Sequence, residues 1–158
     1  MRNARKTLLR NKCPGFKYSA AQVRSAICAL DLRGPFPAPP GELSVVFLDD
    51  RGISKLHLDF MDDPTPTDVI TFPGLAEMDS GGEICVSVEH AFHYARRKSL
   101  DFQKEVTLYL VHGYLHLAGF DDLNPAAKRR MRRAEKKAMI FLESNHQIPD
   151  FTYHAVFP

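Results

Sequence analysis

His112 and His116 stand four residues apart in LVHGYLHLAGFDD, residues 110–122. On a helix this spacing puts both imidazoles on one face with Cβ atoms about 5–6 Å apart, a separation at which they can grip one ion. Gly119 suits the end of that helix, since glycine accepts the left-handed backbone that reverses the chain. The reversal would carry Asp121 or Asp122 back toward the histidines as a third ligand. Three protein ligands and one open position distinguish a catalytic zinc site from a closed structural one, and the ion lowers the pKa of its water toward about 7. Two histidines at this spacing also occur simply as lining of a core helix. What points to a metal is their conjunction with Leu115, Leu117, the stopping glycine and the carboxylates after it. In a zinc-protease helix the residue after the first histidine is a glutamate that serves as base, whereas here it is Gly113. A peptidase would need its base from elsewhere.

The surrounding pattern predicts the elements that must position these residues. Phe102 to about Ala118 reads as the helix carrying both histidines. Asn124 and Pro125 read as the N-cap and first residue of a last helix running to about Ser144. Upstream, Ser19 caps an amphipathic helix ending near Arg33, with Val23, Ile27 and Leu30 on one face. GPFPAPPG at 34–41 is a connector, ELSVVFL at 42–48 a strand, DDRG a turn, and 53–60 a short helix. After the turn-forming DDPTPT, strands are predicted at 69–73 and 83–88, with SGG at 80–82 flexible between them and hairpin pairing the expected arrangement. A helix from Glu89 to about Lys98 follows.

Length and composition set bounds. A chain of 158 residues, 44% hydrophobic and 25% charged, fits a single domain over 1–158 with one packed core. Cys13, Cys28 and Cys85 are odd in number and widely spaced, which suggests neither a disulfide framework nor a zinc ribbon and suits a reducing cytoplasm. The basic MRNARKTLLRNK stretch lacks the apolar run of roughly 7 to 15 residues of a secretory signal. No stretch reaches the about 20 apolar residues that span a bilayer, so no membrane is expected. The net charge is +2, with positive charge gathered in the C-terminal half, notably KRRMRR at 128–133, and this points weakly toward a polyanion.

HGYLHLAGFDD resembles the HGxLHLxGYDH signature of the YbeY family of metal-dependent endoribonucleases implicated in ribosomal RNA maturation. PTDVITFP at 66–73 is similar to the family's PTDVLSFP segment, and GEICVS at 82–87 to its GDIxIS strand, in the same order and spacing. The resemblance runs from about Leu43 to about Leu123. It implies an α+β fold: a small mixed β-sheet packed against several helices, with a zincin-like metal helix at the centre and a cleft above it. It also implies one divalent metal ion, zinc, and single-stranded RNA as substrate. The setting it implies is processing of the 3′ end of small-subunit ribosomal RNA, with ribosomal proteins or the small ribosomal subunit as further partners. The family's first two histidine ligands fall on His112 and His116, and its third falls on Asp122. The metal ligands expected are therefore His112, His116 and Asp122, with Asp121 as catalytic base.

Two departures stand out. Zinc accepts carboxylate oxygen at about 2.0–2.2 Å, so Asp122 preserves a site while making it more anionic and its water less acidic. The family's tyrosine-arginine pair before PTDV is matched here by Phe60 and Met61, which removes a cation suited to clamping a phosphate. Only Arg51, Lys55, Arg96 or Arg97, if one of them reaches the same space, would replace it. Without one, the alternative is a non-catalytic, metal-stabilised assembly factor that binds RNA through the basic helix. The basic run itself reads mainly as a solvated helix face, and additionally as a patch for RNA phosphates. His90 and His93 read as surface histidines lacking a carboxylate partner. By resemblance Thr67, Asp68 and Thr71 line the cleft, and Phe47, Phe60, Phe72, Phe92 and Phe102 occupy core-like positions.

Overall fold

The computed structural model describes residues 4–156; the outermost residues of the domain expected over 1–158, numbers 1–3 and 157–158, lie outside the described residues. In chain order the elements are β1 (Thr7–Lys12), β2 (Phe16–Tyr18), α1 (Ala20–Arg33), β3 (Glu42–Leu48), α2 (Asp50–Met61) and β4 (Val69–Pro73). A single 3-10 turn (Ala76–Met78) precedes β5 (Ser80–Ser87), α3 (Val88–Lys98), α4 (Phe102–Leu117), α5 (Pro125–Ser144) and β6 (Phe151–Tyr153). The main sheet has the order β1-β3-β5-β4, with β1, β3 and β5 parallel and β4 antiparallel to β5. This is the small mixed sheet with helices that the family resemblance implied, and β4 and β5 pair as the predicted hairpin. A second, two-stranded sheet joins β2 to β6.

Strand alternation assigns each side chain to a layer. Leu43, Val45, Phe47, Ile84 and Val86 face the larger core with α1, α4 and α5. Val46, Leu48, Ile70 and Cys85 face a smaller core closed by Ile53 of α2. Both faces of the central strands are thus covered, which accounts for their near-continuous apolar reading. α4 runs through the middle of the molecule, packing on β4 and β5 on one side and on α3 and α5 on the other. Its burial on several sides explains why it carries so few charges. Tyr114 anchors it from behind: its hydroxyl donates to Asp31 Oδ1 (2.6 Å) and accepts from the Ala38 N–H (3.0 Å), while Arg5 pairs with Asp31 (2.7 Å).

Several expectations need correction. SGG at 80–82 begins β5 instead of forming a flexible spacer, because Glu42 N–H donates to Asp79 O and Gly82 pairs with both Leu43 and Pro73. Gly82 has φ +120°, and a Cβ there would lie 2.6 Å from Leu117. α2 starts earlier than predicted, since Asp49 caps it by accepting from the Gly52 N–H (2.8 Å). Phe47 is fully buried, but Phe60 is 64% exposed and packs edge-on against Phe72 (centroids 4.9 Å).

Candidate metal centre

Local capping fixes the segment carrying the candidate ligands at both ends. Asp101 opens α4 by accepting from the Lys104 N–H (3.0 Å). At its other end Gly119 takes φ +106°, Gly119 N–H donates to His116 O and Phe120 N–H to Leu115 O, the paired bonds of a Schellman reversal. Phe120 then packs edge-on against Phe36 of the proline-rich connector (5.0 Å). Asn124 caps α5 by accepting from the Ala127 N–H (2.9 Å), with Pro125 as first helical residue. Asp121 and Asp122 therefore sit on a short segment pinned at both ends.

Within that frame His112 Nε2 and His116 Nε2 lie 3.1 Å apart, and Asp122 Oδ2 lies 3.6 Å from the first and 3.9 Å from the second. Donors bonded tetrahedrally to zinc at about 2.0–2.1 Å stand about 3.3–3.5 Å from one another, so the spacing matches one shared ion. Hydrogen bonding sets the tautomer: His112 Nδ1 lies 2.7 Å from Glu135 Oε1, so it carries the proton and Nε2 presents its lone pair. Two imidazole nitrogens and a carboxylate oxygen thus converge within 4.8 Å of one another, an arrangement that one cation held by all three would satisfy. The residues present fit a divalent metal.

Electrostatics separate the two imidazoles. Burial pulls the His112 pKa down, but the hydrogen bond and charge of Glu135, helped by Asp68 and Asp122, leave it above the usual histidine value. His116 is held below the usual value by burial and by its neighbour His112. Asp121 lies outside the triad, exposed, with Oδ1 accepting from the Leu123 N–H (3.2 Å).

A cavity of about 510 Å³ opens beside the site, with His112 and Asp122 among its lining residues. Gly113, the position of a zinc-protease base, faces the sheet: a Cβ there would fall 2.5 Å from Ile84 Cγ2. No room exists on that side for a longer residue.

The family model for endoribonuclease YbeY matches residues 17–143. The chain belongs to the YbeY family. It is 44% identical to the endoribonuclease YbeY of Protochlamydia amoebophila over 106 residues, covering 65% of this chain and 71% of that protein. It is 30% identical to that of Sinorhizobium fredii over 131 residues, covering 79% and 76%. The solution structure of a Thermotoga maritima protein superposes with a TM-score of 0.63 at 24% identity, covering 89% of this chain and 91% of that one, which supports the fold.

These relatives are named endoribonucleases, and the other site expectations divide on the structure. Asp68 lines the cavity, whereas Thr67 and Thr71 are not among its lining residues. Thr71 Oγ1 is instead buried without a hydrogen-bond partner and lies 3.2 Å from the position of a Gly113 Cβ. None of Arg51, Lys55, Arg96 or Arg97 lines the cavity; its cations are Lys128 and Arg132, from the basic run on α5. His90 is not a free surface histidine, since its Nδ1 lies 2.9 Å from the Tyr109 hydroxyl in the cavity wall. His93 is exposed, as expected, and lies within 4.8 Å of the Asp50 and Glu89 carboxylates. Sequence reasoning missed Glu135 and Glu105. Glu135 follows His112 by 23 positions, and the only local signal for Glu105 is that a carboxylate lies one helical turn past the Asp101 cap.

Proposed function

We propose that this chain is a metal-dependent endoribonuclease that cuts single-stranded RNA in ribosomal RNA processing, at the 3′ end of small-subunit ribosomal RNA. The observation that carries this reading is the convergence of His112, His116 and Asp122 at a cavity whose cations are Lys128 and Arg132. A non-catalytic assembly role is not favoured by relatives that are named endoribonucleases. Bound at the three ligands, zinc would supply a polarised phosphoryl oxygen and an acidified water.

The chain's own residues supply the rest. Glu135 holds His112 in the ligating tautomer. Lys128 and Arg132 lie four residues apart on α5 and take the role of the phosphate clamp that Met61 cannot fill. Asp121, exposed beside the third ligand, receives the proton released when water attacks. The remaining exposed cations, Arg129, Arg130 and Arg133, extend the positive surface along which an RNA backbone would lie. The partners are ribosomal RNA and, through it, the small ribosomal subunit or its proteins. The setting is the cytoplasm; no helix among the described residues is long and apolar enough to cross a membrane.

Purified protein incubated with structured ribosomal RNA tests the reading. Cleavage should be lost on chelation, restored by zinc and absent in Asp122→Ala. Zinc-loaded protein that leaves every RNA intact would overturn it.

A further inference from the structure

The cavity beside the metal ligands extends well beyond them, and the proposed reaction leaves much of it unused. Its volume of about 510 Å³ lies within the about 300–1,000 Å³ typical of small-molecule sites. Tyr94, Leu100, Leu108 and Met131 give it apolar and aromatic walls. Glu105 contributes a carboxylate although the residue is only 7% exposed. Tyr109 stands one turn further along α4 in the same wall, and its hydroxyl lies 2.9 Å from His90 Nδ1. His90 and Tyr109 thus bond to each other, and the Glu105 carboxylate keeps acceptor capacity for a ligand. A buried carboxylate with acceptor capacity beside apolar and aromatic walls is matched by an apolar-faced planar ligand that offers neighbouring N–H donors.

Among nucleobases guanine alone presents two adjacent donors on its Watson–Crick edge, the ring N1–H and the exocyclic amino group, spaced for one carboxylate. Adenine and cytosine offer one amino group, and uracil one ring N–H. We infer that the cavity is a nucleobase pocket that takes an unstacked guanine of the RNA, with Glu105 reading its N1–H and amino group. Exposed bases are recognised in this way, by apolar or aromatic walls and hydrogen bonds to the Watson–Crick edge. Lys128 and Arg132 line the same cavity and hold the phosphate attached to that nucleoside. Burial raises the Glu105 pKa, the neighbouring Tyr109 hydroxyl lowers it, and repulsion from Asp68 and Glu135 raises it again. Guanine N–H groups would compensate that buried charge.

The inference rests on the RNA-cleaving reading, but its test needs no cleavage. The four nucleoside 5′-monophosphates are titrated into zinc-loaded protein by calorimetry. Guanosine monophosphate should bind about tenfold or more tightly than the other three, the discrimination expected of a bidentate base contact. Glu105→Gln should remove that preference. Leu100→Trp, which fills the mouth of the cavity at a position already 49% exposed, should weaken all guanosine monophosphate binding. Unchanged zinc content and thermal unfolding certify that each variant is folded; if Glu105→Gln does not fold, Leu100→Trp decides. Equal binding of the four nucleotides, no binding of any, or a preference that survives the folded variants overturns the inference. Absence of cleavage with guanosine monophosphate still preferred would instead overturn only the nuclease reading.

Discussion

The cluster of His112, His116 and Asp122 and the cluster of Asp50, Glu89 and His93 each bring three donor atoms within 4.8 Å of one another, but their donors are differently employed. In the second cluster Glu89 Oε1 accepts from the Asp50 N–H (3.0 Å) and Asp50 Oδ1 accepts from Ser87 Oγ (3.4 Å). Both carboxylates stand in the first turn of a helix, where negative charge complements the helix dipole. Their proximity has a structural cause. In the first cluster Glu135 occupies the outer nitrogen of His112, the inner nitrogens face each other, and a glycine reversal delivers the carboxylate. Proximity of donors is common, and what marks a site is the supporting arrangement that turns their lone pairs inward.

The sharpest way to break that contrast is to remove one histidine from each cluster. His116→Ala should abolish stoichiometric zinc binding, measured by metal analysis of purified protein, while His93→Ala leaves the content unchanged. Equal loss in both would erase the distinction. The next effect concerns the supporting carboxylates. Glu135→Gln should weaken zinc binding about 10–100-fold in a chelator competition, whereas Glu89→Gln should leave zinc affinity alone and lower only thermal stability.

Smaller effects probe the framework that only the first cluster possesses. Gly119→Ala should cost about 1–3 kcal/mol in denaturant unfolding, because its φ of +106° is strained for any residue with a Cβ. Gly113→Ala should cost about 1–3 kcal/mol by forcing α4 away from Ile84. The smallest effect belongs to the cavity wall. The Glu105 carboxyl titrates higher folded than unfolded, so its charge destabilises the fold above the folded pKa, and that penalty disappears below the unfolded pKa. Glu105→Gln should therefore raise the melting temperature at neutral pH, with the gain shrinking as the solution is acidified. A gain that grows on acidification would mean the carboxylate is stabilised by its surroundings.

Much of this molecule was legible in its sequence wherever the relevant physics is local. The His112 and His116 pair follows from helical spacing, Gly119 from backbone conformation, and Asn124 with Pro125 from capping, each within a few residues. The strands at 42–48 and 69–73 announced themselves by apolar runs between turns. β1 did not, because an edge strand written TLLRNK has only one side to bury. β2 and β6 are three residues each, too short to show a period.

Tertiary packing decided the remainder. Which of two adjacent aspartates reaches the histidines depends on the path of residues 118–124 between two helices, a path set partly by Phe120 against Phe36. The basic run shows no internal difference among its cations until α5 docks on α4 and turns Lys128 and Arg132 to the cavity. The same docking brings Glu135 to His112. The family, the paired histidines and the helix carrying them were thus determined by sequence alone, through interactions along a few successive residues. The approach of Asp122 to the histidines, the contact of Glu135 with His112 and the cavity depended on how separate elements pack, which no local pattern encodes.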